Sequence, residues 1–76
     1  MTKLPIISGK EAIKIFQKAG WIVSHQKGSH VILTKTGKYV NLSIPLHKEL
    51  DTGTLRGLIR DSGMSVLEFC RYLSKY

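Results

Sequence analysis

Apolar residues first recur at helical spacing. Ala12, Ile13, Ile15, Phe16 and Ala19 form one stripe, with Lys10, Lys14 and Lys18 on the opposite side. Just ahead of the stripe, Ser8-Gly9-Lys10-Glu11 has the spacing of a capping box. There a serine oxygen accepts from an orphan amide and a glutamate three residues on reaches back to the cap. Gly20 supplies the stop, so the pattern predicts a helix over residues 9–19. The period then changes. Trp21–Gln26 is aromatic and β-branched, Lys27-Gly28-Ser29 has turn chemistry, and His30–Thr34 alternates. Lys35-Thr36-Gly37-Lys38 makes a second turn, and Tyr39–Ile44 alternates again until Pro45 ends it. Turns this short join neighbours, which predicts an antiparallel meander of three strands.

Alternation assigns the faces. Val31 and Leu33 share one side of the second strand and leave His30, Ile32 and Thr34 on the other. Val40, Leu42 and Ile44 share one side of the third, opposite Tyr39, Asn41 and Ser43. With the apolar sets turned to the helices, His30 stands on the open side of the sheet. His25 reaches that side only together with Trp21 and Val23, at the cost of exposing two apolar groups. It is therefore placed at a strand end without a role. After a loop over residues 46–52, a helix begins near Gly53-Thr54, turns Leu55, Leu58 and Ile59 inward, and stops at Gly63. Ser65-Val66-Leu67-Glu68 is a second capping box, opening a last helix through Tyr72 that packs Leu67 and Cys70, with Phe69 and Leu73 as further candidates. The order is α-β-β-β-α with the final helix broken or extended. It predicts an α+β fold, a single domain over residues 1–76 with its helices on one face of the sheet.

A chain of 76 residues buries only about 60% of its unfolded surface, so any site is shallow and built from few residues. Charge narrows the partners. Twelve Lys and Arg against five Asp and Glu give a net charge of +7, which favours a polyanion. Nucleic acid comes first, an anionic membrane surface second, and an acidic protein is compatible with either. The lone cysteine, Cys70, precludes an internal disulfide and fits a reducing compartment. No stretch resembles a signal peptide or approaches the ~20 apolar residues of a membrane span. These features predict a cytoplasmic protein.

The candidate chemistry gathers around His30. Cleavage of RNA by its own ribose 2′-hydroxyl needs a base for that hydroxyl, an acid for the leaving oxygen and stabilisation of phosphate charge. Imidazole, with a reference pKa of about 6.5, serves as either base or acid at neutral pH. Lys27, the Gly28 and Ser29 amides, the Ser29 hydroxyl and Lys35 are candidates to hold the phosphate. Residue types alone leave open a merely polar strand-end histidine. Tyr39, on the predicted open side, is the better candidate to stack an unpaired base than Trp21, which reads as core; Tyr72 and Tyr76 are further aromatics. Thr52-Gly53-Thr54 opens a helix whose free amides suit a phosphate, and Arg56 and Arg60, four apart, extend that contact or are simply solvated. His47, in the Pro45-Leu46-His47-Lys48 loop, reads as a residue that pins the loop or touches RNA. The scattered histidines, the few carboxylates and the lack of zinc-type spacing predict no metal and no cofactor.

Several segments in one order carry a resemblance. They are Ala19-Gly20-Trp21, Gly28-Ser29-His30-Val31-Ile32-Leu33, Ile44-Pro45-Leu46-His47-Lys48-Glu49-Leu50, Gly53-Thr54-Leu55-Arg56 and Asp61-Ser62-Gly63-Met64-Ser65. In these the chain resembles the HicA toxins, the YcfA-like mRNA interferases, along nearly its whole length. The resemblance implies a double-stranded-RNA-binding-domain-like α-β-β-β-α fold, a toxin that cleaves mRNA, and an antitoxin partner of the HicB type. It also implies that His30, which follows Gly-Ser in the second strand, is the catalytic histidine. His47 matches a family position without an implied catalytic role. A non-catalytic RNA-binding module of the same fold is the alternative, and a basic docking surface for an acidic protein is a third reading compatible with the first.

Overall fold

Ser8 caps the first helix as its spacing predicts. Its side chain accepts from the Glu11 amide, and the Glu11 carboxylate accepts from the Ser8 amide, both at 3.1 Å. The computed structural model describes residues 4–74, and Tyr76 lies outside the described residues. It runs α1 (Gly9–Lys18), β1 (Ile22–Lys27), β2 (His30–Thr34), β3 (Leu42–Pro45), α2 (Thr52–Ser62) and α3 (Val66–Ser74). The strands form one antiparallel sheet in the order β1-β2-β3. This is the α+β order predicted, with the final helical region divided in two. Gly63, in the left-handed region at φ +84°, closes α2, and its amide donates to the Arg60 carbonyl. Ser65 and Glu68 then exchange the same pair of capping bonds at the start of α3.

One cluster of buried side chains joins the layers. Val31 and Leu33 of β2 and Leu42 and Ile44 of β3 meet Ala12, Ile15 and Phe16 of α1, Leu55, Leu58 and Ile59 of α2, and Phe69 of α3. Trp21 is buried with them, as its position after the helix stop suggested. The last helix departs from expectation. Leu67 is 54% exposed, while Phe69 is fully buried and Cys70 only half so. Phe69 tilts against Phe16, with ring centroids 5.3 Å apart. The helices cover β3 and the inner side of β2, and every residue of β1 remains exposed.

The third strand is shorter than the alternation predicted. Pairing ends at Leu33↔Leu42, and Tyr39, Val40 and Asn41 belong to the connection rather than to the sheet. Continuing the ladder would require Lys35 and Thr36 to extend. Instead, residues 35–38 fold into a turn closed by the Lys38 amide donating to the Lys35 carbonyl.

Gly9 marks the tightest approach between helix and sheet. Its amide donates to the His47 carbonyl at 2.9 Å, and a Cβ there would collide with the Pro45 carbonyl. The colliding atom is backbone and cannot swing aside. Gly9→Ala is therefore expected to destabilise the chain by about 1–3 kcal/mol. Gly53→Ala, in the first turn of α2 with open space around it, is expected to be neutral or to stabilise by about 0.4–1 kcal/mol. Urea unfolding of the two variants beside wild type checks the opposed signs.

Candidate nucleic-acid interface

The hairpin joining β1 to β2 turns on two residues. Gly28 has φ +61°, and Ser29, like every other described non-glycine residue, has negative φ. A positive first residue followed by a negative second is the sign pattern of a type II′ turn, which suits the twist of the strands it joins. The Gln26 side-chain amide donates to the Gly28 carbonyl, and the Leu46 amide donates to the Ser29 carbonyl, so the tip is held from both sides. This geometry places Lys27 directly opposite His30 across the ladder, with Pro45 of β3 opposite His30 on the other side.

Residues paired across an antiparallel ladder share a face. On the side away from the core lie Lys27 with His30, and His25 with Ile32, which in turn pairs with Ser43. His30 is exposed there, as the alternation of β2 predicted. His25 takes a place that the alternation of the sequence did not assign to it. The register runs Val23↔Leu33 and then His25↔Ile32, so Ser24 is an extra residue in a β-bulge. The bulge separates His25 from the face of Val23 and sets it beside His30 on the open side. Its ring is held by a 3.1 Å hydrogen bond between Nδ1 and the Ser24 hydroxyl. Residue type gives no sign of it: Trp21-Ile22-Val23 is an unbroken apolar run and Ser24-His25-Gln26-Lys27 an unbroken polar one, so neither alternates.

Lys27, Gly28, Ser29 and His30 thus come together. The other candidates lie elsewhere. Lys35 is turned to the helical side: its ammonium donates to the Ala19 carbonyl at 2.9 Å, satisfying the C-terminal end of α1. Tyr39 is fully exposed in the connection before β3 and is not on the sheet face. His47 is exposed two residues beyond Pro45, and it is its backbone carbonyl, through Gly9, that pins the loop. Thr54 is exposed in the first turn of α2, where Asp51 is the cap residue but makes no side-chain capping bond. Arg56 and Arg60 belong to the helical layer. They border a groove of about 430 Å³ between α2 and α3, floored by Ile59, Met64 and Val66, and Arg60 also approaches Asp61 at 3.7 Å. Among the described residues, no three His, Cys, Asp or Glu side chains gather as a metal site would require, and no helix is long and apolar enough to cross a membrane.

The chain is similar to known proteins in both sequence and structure. Residues 9–64 match the family described as the HicA toxin of bacterial toxin-antitoxin. The structure is similar to a chain in a solved toxin-antitoxin complex from Streptococcus pneumoniae, with a TM-score of 0.68 and 36% sequence identity over 76% of this chain and 98% of that one. No curated protein matches significantly.

Proposed function

The chain belongs to the HicA toxin family, and from that premise we propose that it is an endoribonuclease cleaving mRNA without a metal, with His30 moving a proton at the scissile phosphate. The observation that carries the reading is the exposed His30 ring on the open side of the sheet, directly opposite Lys27 and beside the Gly28–Ser29 turn. RNA lies across this face. The Lys27 ammonium and the turn amides neutralise the phosphate, where charge grows as the phosphorane forms. His30 takes the 2′-hydroxyl proton or gives one to the departing 5′-oxygen. The products are a 2′,3′-cyclic phosphate and a 5′-hydroxyl. His47, exposed two residues beyond Pro45, offers a contact to RNA that runs past the end of β3. Thr54 and Arg56 offer a further phosphate contact from the helical layer.

Such a face endangers its own cell unless covered. Its partner is an antitoxin of the HicB type, and the net charge of +7 calls for an acidic covering surface. The test is direct. Purified protein incubated with a long RNA in EDTA is expected to cut it and leave cyclic-phosphate ends, and expression without the antitoxin is expected to arrest growth. RNA that is bound but stays intact would make the chain a binding module. Cleavage abolished by EDTA would overturn the metal-free mechanism.

A further inference from the structure

We propose that His25 is the second proton-transfer group of this site. The inference rests on the ribonuclease reading of His30 and asks what else that reaction requires. Attack by a 2′-oxygen forms the O2′–P bond as the P–O5′ bond breaks. A proton must leave the 2′-oxygen, and a proton must arrive on the 5′-oxygen. Entering and leaving oxygens stand on opposite sides of phosphorus in an in-line displacement, so one imidazole does not attend both at once. Two imidazoles flanking the phosphate divide the work: one accepts, the other donates, and charge and protons balance with no metal or redox partner.

The bulge at Ser24 supplies that pair. His25 stands opposite Ile32 and His30 opposite Lys27, all on the open side, so the two histidines are diagonal neighbours across the β1–β2 ladder. Diagonal residues on one face have backbones ~7–8 Å apart, close enough for both side chains to reach one phosphate through hydrogen bonds of about 2.8 Å. Both histidines are exposed, so the substrate reaches them without rearrangement. The Ser24 hydroxyl engages His25 Nδ1, which orients the ring and leaves Nε2 for the reacting oxygen. Lys27 lies across from His30 and two residues along the strand from His25, placed to meet the non-bridging oxygens of a phosphate held between them.

The test uses the full chain as wild type, His25→Ala, His25→Gln and His30→Ala, each checked for an unchanged unfolding midpoint. Single-turnover cleavage is followed against pH on ordinary RNA and on RNA whose 5′-bridging oxygen at the scissile site is sulfur, a leaving group that needs no proton. Wild type is expected to give a bell-shaped profile. The His25 variants are expected to lose one limb of the bell and about 10²-fold in rate, near the lower end for such a group because water reaches this open face and partly replaces it. The sulfur substrate is expected to restore one of the two alanine variants and not the other, which assigns acid and base. Wild-type rates and an intact bell in both His25 variants overturn the role of His25 and leave His30 standing. Sulfur that restores both alanine variants, or neither, also overturns the division of labour. A wild-type chain that does not cut RNA sinks the ribonuclease reading and this inference together.

Discussion

His30→Ala is expected to lower the rate of RNA cleavage by about 10²–10⁴-fold, equivalent to roughly 3–5 kcal/mol of transition-state stabilisation. The fold should barely notice. His30 is exposed at the start of β2, and substitutions at such positions change stability by about ±0.5 kcal/mol or less. Affinity for RNA should change little as well, because Lys27 and the Gly28–Ser29 turn remain in place, and the phosphate backbone dominates such binding. The combination separates chemistry from binding: a collapsed rate, an unchanged unfolding midpoint and a retained dissociation constant for uncut RNA. Lost affinity with proportionally lost cleavage would make His30 a binding residue. Equal cleavage by variant and wild type would remove it from the mechanism altogether.

What the sequence disclosed of this site follows from which features are local. The capping boxes at Ser8 and Ser65 and the left-handed stop at Gly63 depend on neighbours three or four residues away, and each forms as its spacing predicts. The outward direction of His30 follows from the alternation of β2, a central strand whose Val31 and Leu33 must face the helices. The misplacements involve choices made by a partner. Tyr39–Asn41 alternates well enough for a strand, yet beyond Leu33 only Thr34 of β2 is still extended, because Lys35 is drawn to the end of α1 and the chain turns. The Ser24 bulge leaves no mark on residue type. Only the register against β2 shows that one residue of β1 is unmatched and that His25 has changed sides. The +7 charge predicted an anionic partner without locating its seat, since Lys35, committed to the end of α1, counts the same as Lys27 opposite His30.

Phe69→Ala should cost about 3–5 kcal/mol, and Leu67→Ala about 0.5 kcal/mol or less, although both residues are large, apolar and two positions apart. Phe69 is fully buried against the Phe16 ring, so its removal forfeits transfer energy and opens a cavity between α1 and α3 that the flanking backbone cannot close. Leu67, more than half exposed, sits in the first turn of α3, where apolar pattern alone does not say which of two neighbours turns inward. A chain of 76 residues has little stability to spare, so a loss of this size removes most of its margin. Urea unfolding of the two variants measures the difference. Cleavage by Phe69→Ala should fall with warming in step with the unfolded fraction, whereas His30→Ala should be slow at every temperature. Similar costs at the two positions would mean that α3 packs through its other face, which would remove Phe69 as the contact joining it to α1.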